Sequence, residues 1–100
     1  MIDIKDALIK AADLIEKNGL TKGRFINSDK CHCTVGAINE VTGKWPTLVT
    51  EESYHVIAFF GSYIDTYTED PEASIYSWND EEERTQEQVV NELRKAAVLA

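Results

Sequence analysis

Apolar residues recur every three to four positions in four stretches of the chain, and the spacing in each predicts a helix. In the first stretch Ile4, Leu8, Ala11 and Ile15 share one face, widened by Ala7, Ala12 and Leu14. Asp3 is placed to cap this helix, Asp6 favours its positive end, and Asn18-Gly19-Leu20 supplies a left-handed stop. The connection over 21–30 is broken by Gly23 and by the turn-forming Asn27-Ser28-Asp29. It suits either a short helical turn or a two-residue bridge, with Phe25 and Ile26 tucked under the first helix.

The stretch Cys31-His32-Cys33-Thr34-Val35-Gly36-Ala37-Ile38 reads as the start of a second helix over 32–42, closed by Gly43. It is apolar over more than half its circumference and so belongs at the centre. A glycine inside a helix costs about 1 kcal/mol against alanine, so Gly36 is expected to sit where another helix crosses closely. Lys44-Trp45-Pro46 is a turn.

Thr50 caps a third helix, with Glu51 and Glu52 at its positive end and a nearly all-apolar run from Tyr54 to about residue 66. Thr68-Glu69-Asp70-Pro71 is a loop, followed by a short helix over 72–77. Thr85 with Gln88 three residues on is a capping box for the last helix, whose apolar stripe is Val89, Val90, Leu93, Ala96 and Ala97. The expectation is an all-α fold: one domain of 100 residues, a compact bundle of four main helices with short connections, helical over more than half its length. Ile15, Val35, Ile38, Ile57, Phe60 and Leu93 should form its core.

Charge changes this picture in one place. Residues 1–44 carry net +1 and residues 84–100 net +1, but residues 45–83 hold ten acids and no Lys or Arg, for a total of −8. Phosphate contacts need clustered Lys and Arg, so nucleic acid is not expected as a direct ligand. A basic protein partner is compatible, and such a module could occupy the nucleic-acid groove of another protein. Asp65, Glu69, Asp70, Glu72, Asp80, Glu81, Glu82 and Glu83 are expected to form one contiguous negative surface, with no base of their own segment to neutralise them. No stretch is long enough to span a membrane, and the N-terminus lacks the basic-then-apolar pattern of a signal peptide. Two cysteines one residue apart read as reduced thiols in a cytoplasmic protein.

Four constellations could carry chemistry or structure. Cys33, in the first turn of a helix, would have a lowered thiol pKa, with His32 or His55 as base and Asn79 or Asp80 orienting the imidazole; that would be a small cysteine hydrolase or transferase built on Cys33, His55 and Asp80. Cys31, His32, Cys33 and His55 offer four zinc-type ligands, but C-x-C at a helix start makes its side chains diverge, so neither metal nor cofactor is expected. Trp78-Asn79-Asp80 with Arg84-Thr85 reads either as a small polar pocket or as a structural unit. In the structural version Trp78 plugs the bundle and Asp80 pairs with Arg84. The aromatic residues are mostly core, with an exposed subset beside the acids able to anchor a partner.

Ala11-Ala12-Asp13-Leu14-Ile15, Gly19, Gly23, Cys33 with Gly36-Ala37, and Trp78-Asn79-Asp80 with Arg84-Thr85 and Leu93 together resemble a family of small uncharacterised proteins common in bacteriophages and actinobacteria. The pattern spans residues 8–97, and the Trp-Asn-Asp then Arg-Thr pair is its most specific part. The resemblance implies a cytosolic setting and a phage accessory role. The family has no established activity, so it assigns no catalytic residue. The expected function is therefore a small acidic interaction or regulatory protein that binds a basic protein surface.

Overall fold

Five helices follow one another along the chain: α1 (Ile4–Asn18), α2 (Thr34–Thr42), α3 (Glu51–Ile64), α4 (Pro71–Asn79) and α5 (Gln86–Leu99). They are seen in a computed structural model that describes residues 2–100. The fold is all-α, as the apolar spacing requires. The expected short helix over 72–77 is a fifth full element: Asp70 caps it, accepting from the Ala73 N–H, and Pro71 at its first turn needs no hydrogen-bond partner there.

Side-chain caps set most of the helix starts. Asp3 accepts from the Asp6 N–H at 3.2 Å. Thr50 with Ser53, and Thr85 with Gln88, form reciprocal capping boxes on α3 and α5. Changing Thr85 to alanine should lower the unfolding free energy by about 1 kcal/mol, seen as an earlier urea midpoint with an unchanged slope.

α1 packs against α5 and α2, α3 packs against α4, and α2 touches α1, α3 and α4. Central placement of α2 follows from its run of six buried residues, Thr34 through Asn39. Ile15, Val35, Ile38, Ile57, Phe60 and Leu93 are all fully buried. The radius of gyration is 11.7 Å, below the ~13 Å typical of 100 residues, so the bundle is tightly closed.

Two glycines make close approaches to backbone, and one differs from expectation. No helix crosses at Gly36. A Cβ there would lie 2.1 Å from the carbonyl oxygen of Phe25, so the groove on α2 is filled by the backbone of the 21–33 connection. The helix crossing falls instead at Gly61 of α3, where a Cβ would come within 2.5 Å of Pro71 at the start of α4.

That connection takes the bridge alternative. His32 pairs with Leu20 in parallel, through His32 N–H to Gly19 O and Thr21 N–H to His32 O, each 3.0 Å, and with Ile26 antiparallel, through Asn27 N–H to Cys31 O at 3.0 Å and Cys33 N–H to Phe25 O at 3.1 Å. Gly19 leaves α1 with φ +105° and ψ +162°, an extended backbone of positive φ rather than a left-handed turn, and so feeds the chain directly into this pairing. Because the bridge occupies His32, α2 begins two residues later than its apolar pattern suggests, with Cys33 as N-cap. Phe25 packs edge-on against Tyr76 of α4 at 6.0 Å.

Candidate functional site

Asn79, the last residue of α4, is buried and joins three segments. Its Oδ1 accepts from the Thr34 N–H at 2.9 Å and from the Thr34 hydroxyl at 2.6 Å, which satisfies the start of α2. Its Nδ2 donates to Thr21 O at 3.1 Å and to Asp80 Oδ1 at 2.9 Å. Asp80 Oδ1 also accepts from the Gly23 N–H at 3.1 Å. Lys22 reaches across from the same connection to donate to Glu81 O at 2.5 Å and Glu82 O at 3.1 Å. These bonds clamp the 21–33 connection to the α4–α5 turn.

Trp78 is half-buried, edge-on to Phe60 at 5.5 Å, with the Arg84 guanidinium 4.5 Å from its ring centroid. Arg84 Nε donates to Trp78 O at 2.9 Å, and its NH2 group pairs with Glu81 at 2.7 Å. The expected Asp80–Arg84 pair is therefore replaced by Glu81–Arg84, since Asp80 is turned toward Gly23. Thr85 caps α5. The Trp78-Asn79-Asp80…Arg84-Thr85 motif is thus a joint that fixes the entry to α5 and the roof over α4.

The acidic residues fall into two groups. Asp80 turns Oδ1 toward the connection, and Glu72 accepts from the Tyr76 hydroxyl at 2.6 Å, so each is engaged within the fold. Asp65, Glu69, Asp70 and Glu81 line one open depression between the end of α3 and α4, beside Trp78. Asp65 accepts from Ser74 and Asp70 caps α4, while the side chains of Glu69, Glu82 and Glu83 make no hydrogen bond among the described residues. Tyr67, in the loop between α3 and α4, is 93% exposed. The expectation that these acids have no basic neighbour holds only within the segment itself, since Arg84 pairs with Glu81 and the Lys22 ammonium lies on the Glu81 and Glu82 carbonyls.

Cys33 is only 4% exposed, and its sulfur accepts from the Gly36 N–H at 3.3 Å. Burial pushes the thiol up from 9.0 to about 11; the amides of Gly36 and Val35 pull it down, and Asp80 adds a smaller upward push. The expected lowering at a helix start is present but loses to desolvation. Since the folded thiol holds its proton more tightly than the unfolded one, its contribution is complete below pH 9 and disappears as pH rises toward 11. Urea midpoints should therefore fall more steeply over that window in the native chain than in Cys33→Ala. The Cys33 contribution to the difference should be at most about 3 kcal/mol.

The histidines stand apart from this thiol. The buried His32 bonds Glu40 through Nε2 at 2.9 Å and leaves Nδ1 without a partner. His55 is exposed on α3 beside Glu51, Glu52, Ile2 and Ile4. Cys33 and Asp80 do share a cavity, but neither imidazole lines it. Cys31 donates to Asn18 O at 3.2 Å. Cys31, His32, Cys33 and His55 therefore point to four separate partners or surfaces, and among the described residues no group of three or more His, Cys, Asp or Glu is placed to hold a metal ion.

Lys22, Thr21 and Thr34 belong to the joint but carry no sequence signal, because their partners lie 45 to 60 positions away. Among the described residues no helix is long and apolar enough to cross a membrane.

Neither the curated proteins nor the solved structures include one that matches this chain. A family model does match, over residues 1–99, and its span takes in α1, the bridged connection, the Asn79 joint and α5 alike. The chain belongs to DUF6197, a family of unknown function.

Proposed function

We propose that this protein is a small acidic interaction module that binds a basic protein surface through the face formed by the end of α3, α4 and the α4–α5 turn. One observation carries the reading: Asp65, Glu69, Asp70 and Glu81 converge on one depression beside Trp78, and Tyr67 is exposed in the loop between α3 and α4. Carboxylates around an aromatic anchor suit Lys and Arg side chains, whose stems lie on the ring while their charges meet the acids. The cytoplasmic setting and the phage accessory role belong to the same proposal and rest on the motif resemblance alone. The alternative, a thiol enzyme on Cys33, is disfavoured by a buried, protonated sulfur with no imidazole in its cavity.

The test is fluorescence anisotropy with a labelled Lys/Arg-rich peptide at low and physiological salt. Affinity should fall steeply as the Debye length shrinks to about 8 Å, and Glu69→Gln, Glu82→Gln and Glu83→Gln together should weaken it further. None of these three carboxylates takes part in a hydrogen bond within the described residues, so the fold should be unaffected. Affinity indifferent to both changes would reduce this face to a solubility device.

A further inference from the structure

The cavity that holds Cys33 lies between the 21–33 connection, the start of α2 and the C-terminal half of α4. It encloses about 310 Å³ and is lined by Gly23, Arg24, Phe25, Cys33, Tyr76 and Asp80. Its floor is apolar: the Phe25 and Tyr76 rings meet edge-to-face, and the Tyr76 hydroxyl is occupied by Glu72. Its two charged residues are of opposite sign and form no ion pair with each other. Arg24 makes no hydrogen bond or ion pair among the described residues, and Asp80 uses Oδ1 for the Gly23 and Asn79 donors while its Oδ2 accepts none. A lone anion would face the net −8 of the chain, and a lone cation would face the free guanidinium. A zwitterion with an apolar body answers both charges and the floor between them. Its volume lies at the small end of ligand pockets, which run from about 300 Å³, and has room for an amino acid with an apolar side chain such as leucine or methionine.

We propose that this cavity binds a free apolar α-amino acid, its carboxylate at Arg24, its ammonium at Asp80 and its side chain on the floor formed by Phe25 and Tyr76, above Cys33. The site is independent of the basic partner and stands or falls separately.

Titration with L-leucine and L-methionine, followed by amide NMR, tests it. The amides of Gly23, Phe25 and Tyr76 should shift saturably, with a Kd of about 1 mM or tighter. Leucinamide and 4-methylpentanoate each lack one charge and should each bind about fivefold more weakly, as should leucine to Arg24→Gln; fivefold is the upper end of what an exposed ion pair supplies. Arg24 is exposed and makes no contact the fold needs, so this variant stays folded. In a Cys31→Ser background, leucine should also slow alkylation of Cys33 by iodoacetamide. Absence of saturable shifts up to about 10 mM would overturn the proposal. So would equal binding of a single-charge analogue, or an Arg24→Gln affinity equal to the native one.

Discussion

Changing Gly36 to alanine is expected to remove about 3 kcal/mol or more of folding stability, far beyond what a helix interior loses or gains from such a change. On an open helix surface alanine would be favoured by about 1 kcal/mol. Here its methyl would stand 2.1 Å from the Phe25 carbonyl oxygen and 2.8 Å from the carbonyl carbon. Both are backbone atoms, so no side-chain rotation relieves the contact. The connection would have to lift, breaking the Cys33 N–H to Phe25 O bond of 3.1 Å and loosening the His32 bridges. Overpacking costs typically 1–3 kcal/mol where neighbours can yield, and these can yield only by giving up hydrogen bonds. Urea denaturation reads the change. A midpoint equal to or above the native one would mean that the connection does not rest on α2.

The second large effect is expected at Asn79. Asn79→Ala should cost about 3 kcal/mol, because it strands the Thr34 N–H and hydroxyl in a buried site and releases Thr21 O and Asp80. Asn79→Asp separates the two halves of the amide's role. A carboxylate still accepts from Thr34 but cannot donate to Thr21, and it places a second negative charge against Asp80 at the same joint. Asp should therefore also destabilise, and the loss should lessen as pH falls and the paired carboxylates protonate. An Asn79→Ala protein as stable as the native one would show that the joint is held by Lys22 and Arg84 instead.

How much of this was legible in the sequence follows from the range over which each signal acts. Caps and stripes are local, so Asp3, Thr50, Thr85 and the six core residues named from spacing lie where expected. Pro71 and Asp70 were also local signals for a full fourth helix, but a short, weakly apolar segment made 72–77 look shorter than α4 is. α2 starts later than its apolar spacing predicts because His32 is recruited by Leu20 and Ile26, partners that periodicity does not reveal. Gly36 illustrates the same limit: its cost in a helix signals a close neighbour, but not whether that neighbour is a helix or a loop. The thiol of Cys33 was read from its position at a helix start, while its protonation is governed by burial, which depends on Phe25, Tyr76 and the rest of the cavity. The acidic segment was legible as a count of charges. Which of them stay free for a partner depends on Tyr76, Gly23 and Arg84, which donate to Glu72, Asp80 and Glu81.

The location of the binding face is the central claim, and amide NMR mapping tests it most directly. On adding a Lys/Arg-rich peptide to the labelled protein, the account predicts the largest shifts in residues 65–77 and 81–83, suppressed at high salt and absent from the exposed Trp45 and Leu48. Shifts centred on Trp45 and Leu48, or spread evenly over the chain, would contradict it.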